Sequence, residues 1–225
     1  MNAYLIINIL VIAVPVLFSF DNNIKFYKKL PCLFLSILIV GFFYVLWDSF
    51  AAGRGDWSFN ENFLVGINIF NLPLEEILFF ITVPYSIIFL FETAKFYFSK
   101  RLSNVLPYKK SFYNLISILL VAIAFIYLKR DYTFIVLNFT ALFIFLANIF
   151  YPHLLQSRLY WFFMLFSFVP FLIVNYFLTS LPIITYNPEA IWGIRLITIP
   201  AEDLFYSFSM ISFYLLVYTY LSERK

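Results

Sequence analysis

Seven apolar runs, each about as long as a bilayer crossing, take up most of this chain. A membrane-spanning helix needs about 20 mostly apolar residues. Runs of that kind cover residues 3–20, 31–50, 73–94, 111–128, 132–150, 160–179 and 200–221. Lysine clusters, prolines and polar turns separate them. The fourth and fifth are joined only by Lys129-Arg130-Asp131, which forces a tight antiparallel hairpin. Of the 225 residues, 64% are hydrophobic and 12% charged, against about 25% charged in a soluble domain. The predicted fold is therefore all-α, a polytopic membrane helix bundle of about seven transmembrane helices. The run at 3–20 has no basic start and no small-residue cleavage pattern, so it is expected to be a first span rather than a removable signal peptide.

With seven spans the connections alternate sides. One side receives Lys25, Lys28, Lys29, Lys95, Lys100, Arg101, Lys109, Lys110, Arg158, Arg224 and Lys225; the other receives Arg54, Lys129, Arg130 and Arg195. The positive-inside rule puts the first set in the cytoplasm. The expectation is an integral protein of the bacterial inner (plasma) membrane, N-terminus outside and C-terminus cytoplasmic. A single cysteine, Cys32, excludes an internal disulfide and a cysteine metal cluster, and a single histidine, His153, excludes a multi-histidine site. There is no GxGxxG after a strand, no P-loop, no DxxxD motif and no histidine set for a di-iron oxygenase. No metal, no cofactor and no nucleic-acid partner is expected.

The chain also repeats itself. At an offset of 127 positions Asn60 meets Asn187, Gly66 meets Gly193, Pro73 meets Pro200, Glu75 meets Glu202, Glu76 meets Asp203 and Phe79 meets Tyr206. Upstream, Asp48 meets Asn175. Internal similarity at a fixed offset marks duplicated structural units. Each unit holds three spans, and the fourth span between them restores orientation. The repeats are thus expected to be parallel, related by an axis along the membrane normal. The expected organisation is a first repeat over 1–98, a linker with a connecting helix over 99–131, and a second repeat over 132–225.

Both repeats place adjacent carboxylates at the mouth of an apolar run. Proline suits the first turn of a helix, so Pro73 and Pro200 are expected to mark helix starts, with Asn60 and Asn187 as further structural members of the motif. Glu75, Glu76, Glu202 and Asp203 would then sit where the helix dipole favours anions. Neighbouring positions diverge around the helix, so one acid of each pair can face the bundle centre. The apolar segments 63–72 and 190–199 are expected to dip back into the membrane ahead of the prolines. Ionisable groups in a membrane are functional-site candidates, and burial beside a like charge suits a carboxyl to general acid–base work.

Other groups are weighed against blander roles. Asp48 is a fifth acid of the site or an interfacial residue. Asn68 and Asn71 position the first acid pair or are solvated. Arg195 pairs with Glu202 or Asp203 or faces water. Glu92 is expected to pair with Lys95 or to be solvated, His153 to lie at a surface, and Cys32 to be ordinary packing. Phe79, Phe80, Phe205 and Tyr206 follow the acids and could line a substrate site, where aromatic faces stabilise a passing cation.

The duplicated P-x-E-[ED] motif, Trp47-Asp48 near the end of the second span and the three-span units together resemble the lycopene cyclase domain family, the small membrane type with two tandem units. The resemblance covers essentially the whole chain. It implies a lycopene β-cyclase of carotenoid biosynthesis, an isomerase (intramolecular lyase) that closes the ψ-ends of lycopene into β-ionone rings and yields γ-carotene or β-carotene. It implies lycopene or a related linear carotenoid, the lipid bilayer and carotenoid-pathway membrane enzymes as partners. Catalysis is carried over to Glu75, Glu76, Glu202, Asp203 and Asp48, with Glu75→Gln or Glu202→Gln expected to leave lycopene uncyclised. A small proton-coupled membrane transporter or carrier is the competing reading, since parallel repeats and buried acids suit it too.

Overall fold

The computed structural model describes residues 2–224. All seven apolar runs are helical: α1 (Ala3–Phe18), α2 (Leu30–Arg54), α3 (Leu74–Phe98), α4 (Lys110–Ile126), α5 (Asp131–Phe150), then the short α6 (Pro152–Gln156), α7 (Arg158–Ser180) and α8 (Glu202–Ser222). Helices α2, α3, α5, α7 and α8 are long and apolar enough to cross a membrane. At 16 and 17 residues, α1 and α4 reach only about 24–26 Å at 1.5 Å per residue. They are the short members of the bundle, set against a hydrocarbon core about 30 Å thick.

The outer surface is apolar, with Leu17, Phe50 and Leu165 each about three-quarters exposed (74%, 77% and 74%). The interior holds hydroxyls. Ser36 Oγ donates to the Tyr214 carbonyl at 2.9 Å, and the hydroxyls of Tyr44 and Ser209 (2.9 Å) and of Tyr160 and Ser212 (2.7 Å) bond across helices. Small and hydroxyl residues at helix interfaces are how bundles hold together where hydrocarbon removes the hydrophobic drive. Cys32 is packed in this core.

Two units of the same build, α1–α2–α3 and α5–α7–α8, are joined through α4. In each the first helix packs on the third, and each unit's second helix also packs on the other unit's third. One strand of each unit closes the joint. β1 (Trp57–Phe59) pairs antiparallel with β4 (Ile184–Tyr186), Ser58 opposite Thr185. Those two residues are each other's equivalents at the offset of 127. A residue paired with its own counterpart puts the pseudo-two-fold axis through that pair. The flanking bonds obey the same axis. Asn60 N–H donates to the Ile183 carbonyl (2.9 Å), and Asn187 N–H to the Asp56 carbonyl (2.8 Å). Each asparagine side chain also accepts the backbone N–H two residues on, from Asn62 at 3.1 Å and Glu189 at 2.9 Å. This is the local turn that asparagine favours.

The segments ahead of α3 and α8 fold back on themselves. Pro73 caps α3 and Pro200 directly precedes the cap of α8, so both mark the helix starts from just outside the first turn. They end tight hairpins, β2 (Asn68–Ile69) with β3 (Leu72–Pro73), and β5 (Arg195–Leu196) with β6 (Ile199–Pro200). Pro73 has extended backbone, φ −64° and ψ 150°. A residue without an N–H is tolerated at such a short edge. Each hairpin is closed by an equivalent bond, Leu74 N–H to the Ile67 carbonyl (2.8 Å) and Ala201 N–H to the Ile194 carbonyl (2.9 Å). Gly66 and Gly193, at φ 91° and 93°, make the left-handed bend that lets the chain turn into each hairpin. The tips, Phe70 and Ile197, are the most exposed large apolar side chains of these segments (78% and 77%), and Asn68 and Asn71 are exposed beside the first.

Two expectations are corrected. Glu92 is buried, paired with Lys29 rather than Lys95, and accepts the Tyr218 hydroxyl at 2.9 Å. Burial of that end of α3 under α8 requires such partners for the carboxylate. Arg195 pairs with neither acid; its guanidinium donates to the Thr198 carbonyl (2.7 Å) at the hairpin tip. His153 is exposed, as expected.

The strand joint is directly testable. Opposed residues of an antiparallel pair bring Cβ atoms to about 4.5–5.5 Å, close to disulfide range. In a Cys32→Ser background, the double variant Ser58→Cys, Thr185→Cys is expected to oxidise spontaneously. After proteolytic cleavage between α3 and α4, the two halves should then migrate as one band until reduced.

Candidate active site

The hairpins deliver each acid pair to the first turn of a helix, Glu75 and Glu76 on α3, Glu202 and Asp203 on α8. All four carboxylates are buried, but the members of each pair point to different places, since successive helical residues diverge by about 100°. Glu75 Oε1 accepts the Val65 N–H at 2.6 Å. Glu202 Oε1 accepts the Trp192 N–H, the same bond one repeat later, and also the Thr133 hydroxyl at 2.6 Å. Each of these two glutamates thus ties the start of its helix to the loop ten residues before it. The second oxygens, Glu75 Oε2 and Glu202 Oε2, have no hydrogen-bond partner.

Glu76 and Asp203 turn the other way, into a cavity of about 290 Å³, and Asp48 near the end of α2 joins them there. Tyr4, at the start of α1, donates its hydroxyl to Glu76 Oε2 at 2.6 Å. Tyr132, at the equivalent place on α5, donates to Asp203 Oδ1 at 2.7 Å. Asp203 takes a second hydroxyl, from Tyr186 to Oδ2 at 2.9 Å. Burial, then the neighbouring Asp203, pushes the Tyr186 phenol well above the usual tyrosine range, so it stays protonated and stays a donor. Tyr206 donates to Asp48 Oδ1 at 2.9 Å, and Asp48 and Glu76 face the same cavity as neighbouring acids.

A hydrogen bond between two carboxyl groups needs a proton between them, because two carboxylates only repel. Neighbouring acids such as Asp48 and Glu76 relieve that repulsion when they share a proton. Asp203 instead meets a hydroxyl donor on each of its two oxygens. The remaining walls are largely apolar: Val11, Val83, Leu90, Phe171 and Val174 among others, with Asn175, the counterpart of Asp48, on the opposite side.

Of the aromatic candidates, Phe79 and Tyr206 line the cavity. Phe80 instead packs in the core against Tyr44, ring centroids 6.3 Å apart, and Phe205 packs under the β1–β4 joint. Pro73, Pro200, Asn60 and Asn187 lie in the hairpins and the strand joint, outside the cavity. Among the described residues no three His, Cys, Asp or Glu side chains are grouped to hold a metal ion.

Sequence reasoning missed the tyrosines. Tyr4 and Tyr132 stand 128 positions apart, one off the offset that aligns the acids. An ungapped comparison passes over them, although a single gap between the first and third span of the repeat would have found them. Tyr186 carries no such signal. It reaches Asp203 because the strand joint places it there.

No curated protein and no solved structure matches the chain. The lycopene cyclase family profile matches residues 1–94 and 131–221, one segment for each repeat and none for α4. With both repeats and most of its length matched, the chain belongs to the lycopene cyclase family, membrane enzymes that act on carotenoids.

Proposed function

We propose that this protein is a lycopene β-cyclase that closes the ψ-ends of lycopene into β-ionone rings without any redox change. The observation that carries the reading is the cavity itself, which holds three carboxyl groups in two different hydrogen-bonding settings inside apolar walls. The Asp48–Glu76 pair delivers its proton to C2 of the terminal alkene. The resulting C1 cation is captured by the C5–C6 double bond, forming the C1–C6 bond and moving the cation to C5. Asp203 removes the C6 proton, and the C5–C6 double bond of the β-ring results. One proton enters and one leaves for each ring.

Protonating an alkene demands a strong acid, which means a well-stabilised conjugate base. Tyr4 and Tyr206 are already placed to bond the carboxylates left behind. Deprotonating a tertiary cation demands very little of the base, so an Asp203 weakened by two hydroxyl donors suffices. Phe79 and Tyr206 line the cavity, and an aromatic ring stabilises a positive charge over its face by about 0.5–2 kcal/mol. Glu75 and Glu202 are assigned to shaping the loops rather than to proton transfer. The positive-inside count supports an N-terminus outside, a C-terminus in the cytoplasm and a plasma-membrane location.

In cells that accumulate lycopene the protein is expected to shift the pigment from red to orange-yellow, with β-ring products identified by chromatography. Glu76→Gln and Asp203→Asn are expected to lower ring formation by about 10²-fold or more, the usual scale of a lost acid or base. Glu75→Gln and Glu202→Gln keep an oxygen that accepts the loop N–H, so they should stay within about tenfold of the parent, the scale of one hydrogen bond. Equal loss in all four variants would return Glu75 and Glu202 to the chemistry. In deuterated water each ring should gain one deuterium at C2, read by mass spectrometry, and rings free of label would rule out an exchangeable carboxyl as donor. Reporter fusions at the C-terminus check the orientation: a fluorescent protein should glow there and a secreted phosphatase stay silent.

A further inference from the structure

The fold is pseudo-symmetric, yet the cavity lies largely on one side of the axis. Most of its walls come from α1, α3, α7 and α8, and Asp48 of α2, Trp57 of β1, Tyr132 of α5 and Tyr186 of β4 also line it. In the space related by the pseudo-two-fold, between α5, α8, α2 and α3, aromatic side chains pack on one another. The difference traces to a few positions. On α1 the lining residues Val11 and Pro15 correspond, through the Tyr4–Tyr132 equivalence, to Phe139 and Phe143 on α5. Val174 on α7 corresponds to Trp47 on α2, and Ser86 on α3 to Phe213 on α8. At each of these positions a small side chain on the open side is an aromatic ring on the closed side. The rings interlock: Trp47 and Tyr44 lie 5.8 and 5.5 Å from Phe139, and Phe143 lies 5.5 Å from Phe213, centroid to centroid.

The open side also has a mouth. Val14 lines the cavity and is at the same time 56% exposed on the outer face of α1. Helices α1 and α7 flank the cavity without packing closely on one another. A volume of about 290 Å³ sits at the bottom of the usual ligand range of about 300–1,000 Å³. It accommodates the end group of a long polyene and not the whole of a tetraterpene.

We infer that a linear polyene enters this protein sideways from the bilayer, between α1 and α7 past Val14, and that one ψ-end at a time reaches the acids while the rest of the chain stays in the mouth. The small residues Val11, Pro15, Ser86 and Val174 determine which side is used, and the aromatic cluster on the other side closes the equivalent route. This rests on the cyclase reading above, because the polyene is that reading's substrate.

The pseudo-symmetry supplies the control. Leu142 on α5 is the counterpart of Val14; at 45% exposed it lines a separate groove against α4, away from the acids. Val14→Trp is expected to lower β-ring formation by about tenfold or more, the scale of a steric penalty from overfilling a fitted space. Leu142→Trp adds a larger side chain at an equivalent surface position and should leave ring formation within about twofold of the parent, as exposed changes remote from a site do. Val11→Phe, which copies Phe139 into the open side, should act like Val14→Trp, and immunoblots of the membranes should show equal protein in each case. A second readout avoids turnover: in the Asp203→Asn background, lycopene co-purifying with the protein should fall on adding Val14→Trp and hold on adding Leu142→Trp. A parent protein that leaves lycopene unchanged would bring down the cyclase reading. An active parent with Val14→Trp and Leu142→Trp equally active, or with Leu142→Trp alone impaired, would overturn the lateral route and leave the cyclase reading standing.

Discussion

A carboxyl group taken out of water has to be neutral, paired or hydrogen-bonded, and that requirement organises this bundle. Each buried acid of the cavity is answered by a hydroxyl from a different element. Tyr4 on α1 answers Glu76 on α3, Tyr132 on α5 and Tyr186 on β4 answer Asp203 on α8, and Tyr206 on α8 answers Asp48 on α2. The last of these crosses from one repeat to the other. The contacts that stabilise the acids are therefore also the contacts that set helix against helix, and the site cannot be satisfied unless the two halves are assembled. Bonds to charged partners are worth about 1.5–3 kcal/mol each, while breaking one leaves a buried group uncompensated, at greater cost.

The four motif acids divide into two jobs because a helix places neighbouring residues on different faces. Glu75 and Glu202 look back at the loops and hold the Val65 and Trp192 amides. Glu76 and Asp203 look into the cavity. The hairpins make this division possible. By folding over the helix starts they bury acids that would otherwise sit at the water boundary, and they do so with the chain's own backbone bonds rather than with a helix running on through the proline.

Much of this was legible in the sequence, for physical reasons that can be named. Long apolar runs admit little but helices, so all seven were readable within a few residues of their observed ends. The offset of 127 exposed the acids, the asparagines and the glycines because their local geometry is the same in both copies, down to the Asx turns at Asn60 and Asn187. What stayed hidden depends on long-range placement. A run such as Ile67 to Leu72 is apolar whether it runs straight into the helix or turns back as a hairpin, and only the left-handed φ values at Gly66, Phe70 and Asn71 reveal the turn. The partner of Glu92 is 63 residues away at Lys29, too far for any local rule. Phe79 and Phe80 are adjacent in sequence, yet only the bundle decides that the first meets the cavity and the second the core.

The departures from symmetry matter as much as the symmetry. A protein made of two identical repeats would present identical carboxyl environments on either side of its axis. Ring closure needs two unlike ones, a group that gives up a proton and a group that takes one. The chain differs at the required point: the position that is Asp48 in the first repeat is Asn175 in the second, and both face the cavity. Glu76 therefore has a carboxyl neighbour with which to share a proton. Asp203 has instead Tyr132, shared with the symmetric scheme, and Tyr186, which is not. One substitution between acid and amide, together with one extra phenol from the strand joint, gives the two carboxyl centres different surroundings. The same break in symmetry, carried by Val11, Pro15, Ser86 and Val174 against four aromatic rings, leaves a single side from which a substrate can reach them.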